Sequence, residues 1–177
     1  MGRHQALVLV ILSLLVFNAI LVAISVSLAG NGKGYYVLVQ CRDDSSGLER
    51  NLTVIHLYEP VTANLSFIHS VHKTPIYDIL EVNSTGFYGV EHWTMEFGAG
   101  EPDTAEDAGA SSWIYNESTG FYIFRGMHRP LGKTLYLPLD VSINMSITFY
   151  TGDHKLVFND RICSRMLVLE VIGAKDK

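Results

Sequence analysis

Cysteine is nearly absent from this 177-residue chain: only Cys41 and Cys163 occur, far apart in sequence. There is no C-x-x-C pair, so a thiolate zinc site or a dithiol redox motif has no support. No G-x-S-x-G occurs, which removes the nucleophile elbow of the α/β hydrolases. Bases are scarce as well. The chain has 13 Lys+Arg against 18 Asp+Glu, and from Thr74 to Phe124 there is no Lys or Arg but nine carboxylates. This balance argues against a nucleic-acid partner, which requires a basic footprint. It also disfavours electrostatic docking onto anionic lipid. Helical periodicity is missing after residue 30, and there is no internal repeat or low-complexity tract.

One long hydrophobic run stands apart. Ala6 to Ala29 carries no charge and one strongly polar residue, Asn18. As a helix it would span ~36 Å, more than a bilayer core of ~30 Å. Arg3 and His4 precede it, and the positive flank places the amino terminus in the cytoplasm. The expected organisation is a cytoplasmic tail at 1–5, a single-pass anchor at 6–29, a linker at 30–34 and an outer domain at 35–177. A signal peptide is the competing reading, because "SLA" before Gly30 is an acceptable cleavage site. Removing residues 1–30 takes away one base, Arg3, and no acid, which moves the formal charge from −5 to −6.

Two further features agree with export. Five N-x-[ST] sequons occur, at Asn51, Asn64, Asn83, Asn116 and Asn144, all beyond the hydrophobic run. They are candidate N-glycosylation sites on an outer surface. An oxidising exterior also permits a Cys41–Cys163 disulfide, the alternative being two small buried hydrophobes. Closing so long a loop would contribute about 4–5 kcal/mol in the chain-entropy picture.

Past Gly34 the apolar runs are short and rich in Val, Ile, Tyr and Phe. Strands are expected at 35–42, 52–58, 65–71, 76–82, 87–97, 113–115, 121–125, 135–139, 145–150, 156–158 and 162–172. Turn signals such as "NSTG", "NESTG", "RPLGK" and "TGD" separate them. The pattern predicts an all-β fold, an antiparallel sandwich or barrel, behind one transmembrane helix. Residues 98–112 read "GAGEPDTAEDAGASS", an acidic loop of unusual length. Its acids do not follow the calcium-loop pattern, so a solvated loop is expected.

The stretch "HSVHKTPIYDI" at 69–79 concentrates the polar chemistry. With "HKTP" as a hairpin turn, His69 lies opposite Asp78 and Phe67 opposite Leu80. Alternation then puts Leu65, Phe67, His69 and Val71 on one face with Ile76, Asp78, Leu80 and Val82. His69 and Asp78 are expected to pair on a mainly apolar face, the carboxylate fixing the imidazole. Ser70 falls on the other face, which weakens a serine nucleophile. His69-x-x-His72 could bind a metal only with a third ligand, such as His92 or Glu101. No catalytic residue, metal or cofactor is expected, and the chain is read as a non-enzyme. Ligand or partner candidates are His69, Ser70, His72, Lys73, Tyr77, Asp78, Gly98, Gly100, Glu101 and Arg129. In "FGAGEP" the glycines permit positive φ, and free N–H groups there can cradle an anion. Arg129 suits bidentate carboxylate recognition.

"FIHSVHKTPIYDILEV", "MEFGAGEPD", "SSWIY" and "MHRPLGKTLYL" together resemble the domain family of unknown function numbered eighteen-fifty. The resemblance covers roughly 52–158. Motif residues carried over are His69, Ser70, Val71, Lys73, Pro75, Tyr77, Gly98, Gly100 and Arg129. The resemblance implies an extracytoplasmic accessory to TAXI-type TRAP transporters, which take up small, often anionic, solutes. The implied partners are a TRAP permease or a TAXI solute-binding protein. The anchor and sequons resemble archaeal additions. A glycosylated structural or adhesive surface module is the alternative expectation.

Overall fold

A computed structural model describes residues 34–42 and 49–173. The expected anchor at 6–29 and the tail at 1–5 lie outside them. Among the described residues no helix is long and apolar enough to cross a membrane.

Among the described residues eleven strands form two antiparallel sheets. In chain order they are β1 (Tyr35–Arg42), β2 (Glu49–Leu57), β3 (Val61–Ile68), β4 (Pro75–Asn83), β5 (Gly86–Thr94), β6 (Ser112–Asn116), β7 (Phe121–Gly132), β8 (Thr134–Pro138), β9 (Ser146–Thr151), β10 (His154–Asn159) and β11 (Met166–Gly173). One sheet has the order β2-β1-β11-β8, the other β10-β9-β3-β4-β5-β7-β6. All eleven expected strands are present, β1 with its expected bounds and the others with shifted ends. One helical turn, α1 (Ala105–Ala108), was not expected from periodicity. It is too short to show any. Its signal is local: Thr104 caps it by accepting the Asp107 N–H, and Gly109 closes it at φ 65°.

The core lies between the sheets. Val37, Val39, Leu167 and Leu169 from one face Ala63, Leu80, Phe87, Ile147 and Phe149 from the other, each at most 1% exposed. The Tyr35 hydroxyl hydrogen is shared between the carbonyls of Val82 (2.7 Å) and Glu59 (2.9 Å), tying β1 to the opposite sheet. Burial, with Glu81 and Glu59 nearby, pushes that phenol up to about 12. Cys41 and Cys163 are bonded, with Cα atoms 5.5 Å apart across 122 positions of sequence. The expected disulfide therefore closes β1 onto the chain ahead of β11.

The wider sheet outruns its cover. β6 contributes nothing to this core, and β7 contributes only Leu131. The β4–β5–β7–β6 wing instead buries its own set, including Ile76, Ile123 and Phe124. β7 runs on to Gly132 through "HRPLG", where a turn was expected. β6 pairs only with Phe121–Arg125, so Pro130 sits where β7 has a free side and its missing N–H costs no ladder bond.

Candidate functional site

The β3–β4 hairpin is not built as expected. Ile68 lies opposite Pro75 and Phe67 opposite Ile76, a slide of four residues from the anticipated register. The turn therefore spans His69 to Thr74 instead of "HKTP" alone. His69 itself is the cause. Its Nδ1 accepts the N–H of Val71 (3.3 Å) and of His72 (3.1 Å), capping its own turn. Its backbone brackets the loop as well: its N–H donates to the Thr74 carbonyl and its carbonyl accepts from Lys73 N–H. Lys73 takes φ 60° to complete the reversal. His69 has left the strand, so it does not pair with Asp78. Because the slide is even, side-chain faces survive: Leu65 and Phe67 still share a face with Ile76, Asp78 and Leu80.

Asp78 meets a different histidine. His92 lies directly across from it on β5, and His92 Nδ1 is 2.7 Å from Asp78 Oδ1. On the far side of the ring, Nε2 is 2.6 Å from Glu101 Oε2. Strict alternation from the buried Phe87 would put Glu91, not His92, on this face. The register shift between Ile79 and Leu80 leaves Val90 as one extra residue on β5. That bulge reverses parity and turns His92 inward. A single lateral row results: Leu65, Asp78, His92, Phe124 and Trp113 across five strands.

Glu101 reaches His92 through the glycine turn. Gly98, Ala99 and Gly100 have φ 82°, 53° and 101°, three successive residues in the left-handed region. The Glu101 N–H closes back on the Gly98 carbonyl at 3.1 Å. Glycine carries two of these positions without a Cβ penalty. The "GAGE" turn thus serves to aim one carboxylate.

Glu101 stands between two imidazoles. Its Oε1 is 3.6 Å from His69 Nε2 while Oε2 holds His92. Since His69 Nδ1 is an acceptor, its proton sits on Nε2 and points toward Glu101. His72 stacks on His69 with centroids 4.9 Å apart, and its Nδ1 is 2.8 Å from Glu96. The side chains of His69, His92 and Glu101 are 9%, 12% and 11% exposed. Burial pulls His92 toward the neutral form, but hydrogen bonds and charge from Asp78 and Glu101 overcome this and raise it to about 9. At neutral pH the ring is an imidazolium donating from both nitrogens.

This chain of groups forms the wall of a cavity of about 480 Å³. Asp78, His92, Glu101, Asp103 and Asp107 line it with Phe67 and Met127, and Arg129 stands exposed at its rim. A smaller cavity of about 310 Å³ shares Glu101, Gly100 and Phe67 and reaches His69 and Ser70. Asp78, Glu101, Gly100 and Arg129 are therefore brought together, with His69 beside them. Lys73 and Ser70 are exposed on the turn, and Gly98 only shapes the loop. Tyr77 belongs to the opposite face, where it packs on Trp93 and Phe121. His92 is central, yet the sequence flags it only as a conceivable third metal ligand. Among the described residues no group of three or more His, Cys, Asp or Glu side chains is disposed to hold a metal ion.

The sequons differ in setting. Asn51 is exposed on β2, and Asn144 lies in a turn at φ 48°. Asn83 and Asn116 sit at hairpin ends, each accepting the backbone N–H and hydroxyl of the Thr or Ser two residues on. Asn64 is mid-strand in β3, with its Oδ1 buried and unpartnered.

No curated protein and no solved structure matches the chain. A family model described as "Domain of unknown function (DUF1850)" matches residues 63–163. That span holds nearly the whole seven-stranded sheet and every residue of the Asp78–His92–Glu101 row, and stops short of β1, β2 and β11 at either end. The chain belongs to the DUF1850 family, a domain family of unknown function.

Proposed function

We propose that this chain is a membrane-tethered, extracytoplasmic accessory domain of a TAXI-type TRAP uptake system, and that it binds solute at the His92 cavity. The cavity carries the reading: a buried carboxylate–imidazolium–carboxylate chain forms its wall, and Arg129 stands at its mouth. Such a wall is rigid and already internally paired, as a recognition surface requires. Arg129 offers a fork for a solute carboxylate, while Asp78 and Asp103 offer acceptors to its hydroxyl or amino groups. The role is binding rather than catalysis, because both nitrogens of His92 are already engaged by carboxylates. The tether is the 6–29 run, and the partner is the permease or its solute-binding protein.

Uptake in a strain lacking this protein tests the reading. Complementation with the native chain restores uptake, whereas Arg129→Ala and His92→Ala reach the surface but do not restore it. Full uptake with both variants would overturn it.

A second reading has its own observation. Asn83 and Asn116 are half-buried but stand at hairpin ends whose next residues, Ser84, Thr85, Glu117 and Ser118, are exposed, positions that suit N-glycans on a structural surface module. Mass spectrometry of the native protein reads this directly. Glycans at these two sites, together with uptake that is indifferent to Arg129 and His92, would favour the structural role.

A further inference from the structure

The two sheets have four edge strands: β2, β8, β10 and β6. Open edges are templates for unwanted pairing, and proteins blunt them with charge, proline or bulges. β2 carries Glu49 and Arg50 and faces a register shift at Val39/Gln40. β8 begins just after Lys133 and ends in Pro138. β10 carries His154 and Lys155, the latter over the Tyr150 ring. β6 has none of these devices. It reads "SWIYN", is uncharged, and pairs with β7 without a register shift. Trp113, Ile114 and Tyr115 are 45%, 42% and 49% exposed.

We propose that β6 pairs with β6 of a second copy of this chain, antiparallel, about a two-fold axis at Ile114. The sequence of the strand is self-complementary about that point. Ile114 meets its own copy, Trp113 lies opposite Tyr115, and Ser112 lies opposite Asn116. Each Trp–Tyr pair is an aromatic cross-strand contact, and no like charges meet. The aromatic side chains are already assembled within one copy, because Trp113 and Tyr115 both pack on Tyr122, which touches Phe97. Asn116 does not obstruct the edge, since its side chain is turned onto Ser118. The contact is isologous and closes, so it stops at a dimer. The paired seven-stranded sheets become one sheet, and both His92 cavities open on the same face.

The register makes the test specific. The only two cysteines are bonded to each other, so Ile114→Cys adds a single free thiol. In the full-length chain, mild oxidation or a short bis-thiol crosslinker is expected to convert most of Ile114→Cys to a covalent dimer. Leu156→Cys, on the blunted β10 edge, serves as the control and stays single. Ile114→Pro, which cannot complete the ladder, is expected to halve the native mass seen by light scattering, with circular dichroism unchanged. Equal crosslinking of the two cysteine variants would overturn the proposal. So would a single-copy mass for the native chain, an open series of larger species, or capture of a different protein on this edge with no self-pairing. If Ile114→Pro fails to fold, Trp113→Lys reads the same mass without touching the backbone.

Discussion

The packed centre of the sandwich and the wing that carries the cavity share strands but obey different rules. In the centre, β1 and β11 face β3, β4 and β9 through Val, Leu, Ile and Phe, and alternation is kept. In the wing, β4 and β5 place Asp78 and His92 on an otherwise apolar face, and a bulge at Val90 is needed to do it. The centre is held by area removed from water, which is additive and indifferent to pH. The wing buries apolar side chains too, but adds three ionisable groups whose attraction must exceed the cost of their burial. A change in the centre should therefore alter stability alone, and a change in the wing should alter stability, pH response and binding in separable ways.

The largest expected effect lies in the centre. Replacing Cys41 and Cys163 together by Ser opens the 122-residue separation and should cost about 5 kcal/mol in denaturant unfolding. Leu169→Ala, at a site with no exposure, should cost roughly 3 kcal/mol. Neither should shift ligand affinity while the protein stays folded. A binding defect at full foldedness would break the comparison.

His92→Ala should cost about 3 kcal/mol, because it leaves Asp78 and Glu101 buried with no cation between them. The pH dependence identifies this as electrostatic. The folded-state pKa of His92 is about 9 against 6.5 for the free group. Its stabilisation is therefore complete below pH 6.5 and is lost as pH rises through 9, on the order of 3 kcal/mol in all. Unfolding followed from pH 6 to 10 should show that decline in the native chain and a flatter profile in His92→Ala. Arg129→Ala sits at the small end. Its exposed side chain should change stability by less than about 0.5 kcal/mol while reducing solute binding or uptake.

The same contrast decides what could be read from the residues alone. The strands of both regions are legible as eleven short β-rich runs, and in the centre the far-spaced cysteines point to the disulfide. Even the wrong register of the β3–β4 hairpin kept the right faces, because a slide of four preserves parity. The wing was legible in composition but not in pairing. Asp78 and Glu101 stand out as candidates, but alternation puts His69 in the place that His92 holds. A histidine that caps its own turn through Nδ1 leaves no periodic trace. A one-residue bulge likewise erases the alternation that would have pointed to His92. A local signal existed at Gly98–Gly100, where glycine spacing marked the turn that aims Glu101.

The central claim is that His92 is held as an imidazolium between Asp78 and Glu101. Titration of the His92 ring by NMR in the native chain tests it most directly. A midpoint near 9, falling in Asp78→Asn, with both ring nitrogens protonated at pH 7, is the predicted result. A midpoint at or below the ordinary 6.5, unmoved by Asp78→Asn, would contradict the account.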